Sequence, residues 1–567
     1  MIKTDQTTDV VIIGAGAAGI AAAEALYKRN KDFKFKVVEA RGKIGGRIKN
    51  FAFKAKNEDG EDKVYYVEDG ANWIHGQYNL PFCNDDGFDC WEEGRPEFIN
   101  PVWKWQMDHL GRKEHMKGFF TDYNKETAIH EDGSKVDTDI SDKCWEMYDE
   151  GTDDDISAGQ WCREKVARLW KEYCETGETK EDLKKLEEQD TTMKQCFTDS
   201  GKAKLDDLKN KKEKQICKAV EWEMDNFETA ILNASMLHNL PLNHHNGKEY
   251  NFGDFLITDQ RGYSSFLEVI AKGFEKNIML NKQVKKITYS EKGVTVEIDN
   301  GQTITAKYAI STLPLGVMKK NVVTFDPPFS KEKLNAIAGF DMGYYAKIYV
   351  TFSENFWGHH EILKYIGEDP VEKSIMTWGL NLDHHKYFPG SNMITFHSMG
   401  EPALRIEKQP TDATKEEVNF FMKKMFGKHA SDVEEIHVTN WSNDPLTYGS
   451  WSAMPLGYSK AQWQLVRQNE KRLYFAGEHT SSSYGFVHTA YQSGKDAAMN
   501  ILNDMENKPP PSTSFCPNKK STPERSPTTK TSYPMDNSAT TKGKHYGVII
   551  LAINSFFFHL FDLPNSA

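Results

Sequence analysis

The stretch DVVIIGAGAAGIAAAEALYKRNKDFKFKVVEARGKIGGR, residues 9–47, decides the fold. Residues 10–13 are a short apolar run, the pattern of a parallel strand buried on both faces. The run breaks at Gly14-Ala15-Gly16-Ala17-Ala18-Gly19, and an alanine-rich segment to about residue 29 follows. Alanine has the highest helix propensity, so this segment predicts a helix. A second strand, Phe35–Val38, ends at the acid Glu39. Strand, glycine turn, helix, strand and acid make a Rossmann dinucleotide-binding unit. Gly14 permits the tight turn, Gly16 lets the backbone approach a pyrophosphate, and Gly19 lets helix and strand pack closely. Ala18 lies in the same turn, at the helix N-terminus, whose free N–H groups and partial positive charge face the phosphates. Glu39, 20 residues after Gly19, is placed to accept hydrogen bonds from a ribose.

The unit alone does not separate NAD from FAD. The residues that follow do. Arg41, Gly45, Gly46 and Arg47 come at once, and EARGKIGGR resembles the second phosphate loop of FAD-dependent amine oxidases. Paired glycines let the chain pass close to the cofactor, and Arg47 can neutralise its pyrophosphate.

With 567 residues the chain has enough length for a large core and more than one domain. Its net charge of −12 argues against a nucleic-acid partner and favours a cationic ligand by steering. The 13 Trp, 23 Tyr and 32 Phe supply core and pocket walls. The eight cysteines have no CxxC or zinc-ligand spacing, so no metal site is expected. They are too sparse for a disulfide scaffold; free thiols are the expectation, with Cys83 and Cys90 the one pair placed to close a small loop. Only eight mostly polar residues precede Asp9, which is not a secretory signal, so a cytoplasmic location is favoured. The sequons Asn233-Ala-Ser and Asn440-Trp-Ser are accordingly read as chance.

Residues 64–67 read as a strand leading into Glu68-Asp69-Gly70-Ala71-Asn72-Trp73-Ile74-His75-Gly76. DGANWIHG is similar to the segment that crosses the flavin face in polyamine oxidases. The resemblance implies cofactor contacts for Gly70, Ala71, Asn72 and Trp73, and places His75 toward the substrate tunnel. Residues 160–220 are dense in Lys and Glu at i,i+4 spacing, the pattern of solvated helix faces. In EWEMDNFE the resemblance implies an acid of the substrate tunnel, Glu228 first, with Glu223 and Asp225 as rivals. Further on, strands are expected at 283–289, 294–298 and 303–310, the last two joined by Asn300-Gly301, a type I′ turn signal. Val284 resembles the position whose backbone meets the adenine.

Tyr344-Tyr345-Ala346-Lys347-Ile348-Tyr349-Val350 reads as a strand on which Tyr345, Lys347 and Tyr349 share a face. Flavin amine oxidases place a lysine in such an element near the reactive flavin nitrogen, holding a water. That resemblance assigns Lys347 and Tyr345 to the catalytic group. Trp441 resembles the residue at the flavin's dimethylbenzene edge, and Trp451 one wall of the substrate channel. Gly477-Glu478-His479-Thr480 is similar to the family's third FAD motif, with Glu478 toward the ribityl or pyrophosphate side. Phe486 and Val487 then open a last helix; Phe486 is the expected second aromatic wall, where many relatives carry Tyr. Ser481-Ser482-Ser483-Tyr484 has no cysteine of the kind that anchors FAD in monoamine oxidases, so non-covalent FAD is expected.

The chain is thus identified by resemblance over about residues 8–505 as a flavin amine oxidase, most like the polyamine oxidases. That implies an α/β protein in which a discontinuous FAD-binding domain (1–82, 248–338 and 470–507) is woven with a mixed-sheet substrate domain (83–247 and 339–469). Residues 508–545, rich in Pro, Ser, Thr and Lys, read as a disordered tail. Within 546–567, residues 547–561 are apolar but short for a span, leaving membrane contact or a lipid-anchor signal open. The implied partners are a small polyamine and oxygen. The alternatives are another flavin amine oxidase, acting on monoamines, amino acids or methyl-lysine, and a non-catalytic binding protein of this fold.

Overall fold

The computed structural model describes residues 6–75, most of 100–144, single turns within 181–189, residues 208–218, 254–366, and 378–508 apart from 482–483. Glu223, Asp225, Glu228, most of the charged 160–220 region, Cys83, Cys90 and the segments after 508 lie outside the described residues.

The largest sheet is built on β1 (Gln6–Ile13). It pairs in parallel with β2 (Phe35–Val38) on one side and β12 (Thr303–Ser311) on the other. β9 (Ile278–Met279) extends the β2 edge; β11 (Gly293–Ile298), β10 (Val284–Ser290) and β13 (Thr324–Asp326) extend the other. β21 (Leu473–Phe475) pairs with the second half of β12, beyond where β11 leaves it. Val10 and Ile12 enter one hydrophobic cluster while Val11 and Ile13 enter another, so both faces of β1 are covered. This is why its sequence is a continuous apolar run rather than an alternating one. Helix α1 (Ala17–Arg29) and the last helix, α6 (Val487–Met505), lie together on one face. A Cβ on Gly494 would run into the Ala18 carbonyl, so glycine sets their close approach. The Asn300-Gly301 turn differs from the expected type I′: Gly301 takes φ +77° but Asn300 stays out of the left-handed region. The Gly301 N–H returns to the Ile298 carbonyl, a type I turn closed by a glycine bulge.

A six-stranded sheet has the order β19 (Ile436–Val438), β15 (Tyr345–Thr351), β18 (Met393–Met399), β17 (Trp378–Asn381), β16 (Ile362–Ile366), β7 (Glu126–His130). Ala346, Ile348 and Val350 of β15 face the helices α4 (Gly400–Lys408) and α5 (Thr411–Phe426). The opposite face of β15 carries Tyr345, Lys347 and Tyr349, as the strand period requires. The hairpin β3 (Asn50–Lys56)/β4 (Asp62–Glu68) leads from the first sheet toward this face. A small sheet joins β5 (Trp73–Ile74), β8 (Phe255–Ile257) and β6 (Gly118–Phe120). It leads into helix α2 (Pro101–His109), and helix α3 (Ser265–Ala271) packs near α1. Strand β14 (Asp341–Gly343) pairs with β20 (Trp451–Ala453).

Two cysteines expected as free thiols form a disulfide. Cys144 and Cys217 are both buried, with Cα atoms 4.9 Å apart at a sequence separation of 73. Nothing local in sequence marks two positions so far apart as neighbours. Among the described residues no helix is long and apolar enough to cross a membrane.

Candidate active site

A cavity of about 430 Å³ begins at the C-terminal ends of β1, β2, β12 and β21 and continues to the polar face of β15. Ligands of open α/β sheets bind at such strand ends. At this end Gly14, Gly16, Ala18, Glu39, Arg41 and Val284 line it. Glu39 is buried and braces the turn: its Oε2 accepts the Ala15 N–H at 2.7 Å, its Oε1 the Arg41 N–H at 2.8 Å. Burial pushes its carboxyl up, against those two donors and the Arg41 charge. Arg41 pairs with Asp444 at 2.5 Å. Gly19 does not reach the cavity. A Cβ there would strike the Gly14 carbonyl, so its part is to let α1 pack on β1.

Two helices, α1 and α6, begin at the cavity, and neither has a side-chain cap or an acid in its first turn. Their orphan amides therefore remain for an anionic or polar ligand. An elongated cavity with bare helix N-termini, a glycine floor at Gly16 and Gly46, and a ribose-spaced acid fits a dinucleotide cofactor.

The middle of the cavity is a junction of distant motifs. Arg47 Nη1 donates to the Ser450 carbonyl and to Glu478 Oε1, each at 2.9 Å. Glu478 Oε2 accepts Ser452 Oγ at 2.6 Å and the Gly485 N–H at 2.8 Å. Burial opposes ionisation of Glu478, but Arg47, His479 and these donors outweigh it and hold the group below its usual value. Glu478 therefore ties the GGR loop to the start of α6 rather than offering free oxygens.

The segment 68–75 crosses the cavity under tight restraint. Gly70 packs on the Arg47 carbonyl so closely that any Cβ would collide. The Trp441 indole donates to the Asp69 carbonyl at 3.0 Å, and the Tyr349 hydroxyl to the Glu68 carbonyl at 2.7 Å. Lys347 Nζ donates to the Glu68 carbonyl at 3.0 Å, to Asn72 Oδ1 at 2.9 Å, and to the Gly70 carbonyl. These use all three donors of an ammonium, so a water at Nζ is held only when the amine is neutral or one bond opens. Burial, opposed by Glu68 and Asp69, pushes Lys347 down to about 7. Burial likewise pushes Glu68 up to about 7.

At the far end the walls are His75, Tyr345, Trp451 and Phe486, with Ala71, Asn72, Trp73, Gly477 and Val487 around them. Trp451 lies 5.4 Å from Tyr345 between ring centroids, and Phe486 meets His75 edge-on at 5.4 Å. Gly485, at φ +84°, brings its backbone against the Trp451 ring. Three groups here carry no local signal in the sequence. Asp254 holds His75 Nδ1 at 2.7 Å. His397 Nδ1 meets the Tyr345 hydroxyl at 2.5 Å, behind the wall, where burial keeps it well below its usual value and so neutral. Glu68 lies beside Lys347. Each would have needed the strand pairing to be known first.

Comparison with known proteins agrees with this geometry. The family model described as flavin-containing amine oxidoreductase matches residues 107–502, and an NAD(P)-binding Rossmann-like domain matches residues 12–82. Polyamine oxidase 1 of Zea mays is 28% identical over 516 residues, covering 88% of this chain and 91% of the maize protein. Lysine-specific histone demethylase 1 of Caenorhabditis elegans is 28% identical over 576 residues, covering 87% of this chain and 70% of the other. The solved structure of a putrescine oxidase bound to putrescine superimposes with a TM-score of 0.61 at 16% identity, covering 88% of this chain and all of the other. The chain belongs to the flavin-containing amine oxidoreductases. It is an FAD-dependent amine oxidoreductase of that family.

Proposed function

We propose that this protein is a polyamine oxidase that oxidises a secondary amine of spermine, spermidine or an acetylated derivative. The observation that carries the reading is one continuous cavity. It runs from the dinucleotide-binding strand ends to an aromatic chamber that contains a histidine backed by a buried carboxylate. A flexible polycation needs apolar walls for its methylenes and separate polar anchors for its nitrogens. The match to a polyamine oxidase across 88% of the chain supports the same substrate class.

FAD, held along Gly14, Gly16, Glu39 and Arg47, would supply the two-electron acceptor for oxidation of the amine to an imine; water hydrolyses the imine to an amine and an aldehyde, and oxygen, the final acceptor, is reduced to hydrogen peroxide. The chain's own residues provide position and desolvation. Trp451 and Phe486 wall the reacting segment and exclude water, which favours the neutral amine whose lone pair the imine requires. Tyr345, held by His397, closes the chamber from the side of β15. Lys347 holds the segment 68–72 that forms the chamber floor. Glu228 remains our choice for a further tunnel acid, carried by its place in EWEMDNFE alone.

The disulfide Cys144–Cys217 supports a compartment that oxidises thiols, against the cytoplasmic expectation. Membrane contact, if made, is assigned to residues 547–561.

The test is the absorbance of purified protein, titrated anaerobically with spermine, N-acetylspermine and spermidine. Bleaching of the flavin band by one of them supports the reading. A band bleached only by a monoamine or a methyl-lysine peptide reassigns the substrate within the family.

A further inference from the structure

We propose that Asp254 is a positioning residue that makes His75 the acceptor for a substrate ammonium group. The pairing is set by sheet register. Strands β5 and β8 run antiparallel, with Trp73 opposite Leu256 and Ile74 opposite Phe255. One step further, the same register puts His75 opposite Asp254, and directly opposed residues project on the same side of a sheet. The contact follows: His75 Nδ1 lies 2.7 Å from Asp254 Oδ1.

The two side chains differ in access. The Asp254 side chain is 4% exposed, whereas that of His75 is 29% exposed and lines the cavity. An ionised carboxylate has no proton to donate, so the shared hydrogen sits on Nδ1 of the imidazole. In the neutral ring, Nε2 is then the lone-pair nitrogen, and the ring that carries it lines the cavity. The backbone is fixed as well: Asn100 Nδ2 donates to the His75 carbonyl at 2.8 Å, while Asn100 Oδ1 accepts the Val102 N–H at 2.9 Å at the start of α2. His75 is thus held at its carbonyl and at Nδ1, with a single function left at Nε2.

An amine substrate in water is a cation with N–H donors and no acceptor. An Nε2 lone pair polarised by a buried carboxylate matches it; an Nε2–H would oppose it. Without Asp254 the ring is free to adopt the wrong tautomer, or to turn. The dyad needs a substrate with a protonated nitrogen besides the one that reacts, rests to that extent on the polyamine reading, and does not depend on which polyamine it is.

The experiment measures anaerobic bleaching of the flavin band against spermine concentration in the holoenzyme. If spermine does not bleach the wild type, the diamine putrescine is the probe, so failure of the polyamine reading shows in the wild type and failure of the dyad shows only in the variants. Asp254→Ala is expected to raise the half-saturating amine concentration about tenfold, the worth of a hydrogen bond to a charged group. The limiting bleaching rate should stay within about twofold, as for loss of binding common to ground and transition states. In a His75→Ala background, Asp254→Ala should then add nothing, because the carboxylate acts through the ring. Asp254→Asn keeps the shape and carries the same test should the alanine variant fail to hold FAD; it is expected to raise half-saturation by a smaller factor. Unchanged half-saturation in both Asp254 variants overturns the proposal. So does an Asp254 effect of equal size with and without His75.

Discussion

Lys347 Nζ donates to Asn72 Oδ1 over 2.9 Å, joining two segments 275 residues apart in the chain. The same ammonium reaches the carbonyls of Glu68 and Gly70, so a single side chain restrains the segment that crosses the cavity. Lys347→Met keeps the length and apolar stem and removes every donor. Misplacement of a positioning element by an ångström costs up to about a hundredfold in rate. The variant is therefore expected to retain FAD while anaerobic bleaching by amine slows at least about tenfold, with reoxidation by oxygen followed in the same cuvette. Wild-type rates in both half-reactions would remove Lys347 from the mechanism.

Glu478 joins three parts of the cofactor end: Arg47 of the second loop, Ser452 of β20 and the Gly485 amide before α6. Glu478→Gln preserves the shape but leaves the Arg47 charge without its partner. Breaking a buried pair by removing one member costs roughly 3 kcal/mol. The expected outcome is a lower melting temperature and partial loss of flavin on gel filtration, recovered by added FAD. A variant that melts and retains flavin like the wild type would show that the pair is dispensable.

Non-covalent FAD is the third expectation. Ser481-Ser482-Ser483-Tyr484 lacks a cysteine, and among the described residues the cavity wall has none. Acid or heat precipitation should leave all the yellow colour in the supernatant. Colour retained on the washed precipitate would require a covalent link elsewhere.

The parts of the fold legible in the sequence are those whose causes are local. The 10–13 run, the glycine turn, the alanine-rich helix and the strand ending at Glu39 each follow from propensity and periodicity, and the same holds for the face shared by Tyr345, Lys347 and Tyr349. What the motifs do to one another was not legible. Glu478 reads as a cofactor ligand in isolation; that Arg47, 431 residues away, occupies its Oε1 follows only from the fold. Asp254 and His397 sit in ordinary strand-edge and strand contexts and gain their roles through pairing with β5 and β15. Register between strands far apart in sequence has no one-dimensional signal.

The Cys144–Cys217 disulfide makes a prediction of its own. It closes a loop with 73 residues of separation, for which the loss of unfolded-chain entropy corresponds to about 4 kcal/mol. Cys144→Ser with Cys217→Ser should therefore lower the melting temperature, and dithiothreitol should lower that of the wild type toward the same value without affecting the double variant. Mass spectrometry of the non-reduced digest would find the 144–217 linkage. Two alkylatable thiols at these positions in the native protein would rule it out.

His479 gives the pH dependence. The residue is 1% exposed, and among the described residues neither ring nitrogen has a hydrogen-bond partner. Burial, with Arg47 acting the same way and Glu478 opposing, pushes it down to about 4. Its unfolded value is 6.5. Above that, both states carry a neutral ring and the residue contributes no pH dependence. Between 6.5 and about 4 the unfolded chain binds a proton that the folded chain refuses, so stability falls as pH falls, by about 1.4 kcal/mol per unit. His488, pushed by burial to about 3, acts in the same direction, while Glu68, raised to about 7, opposes them between its unfolded and folded values. A variant comparison isolates His479 from these neighbours. His479→Leu removes the titration and keeps an apolar side chain. Its melting temperature should lie below that of the wild type at pH 8 through lost packing, and the deficit should shrink by up to about 3 kcal/mol as the pH is lowered through the window. A deficit that stays constant across that range would mean that the folded ring takes up its proton as readily as the unfolded one.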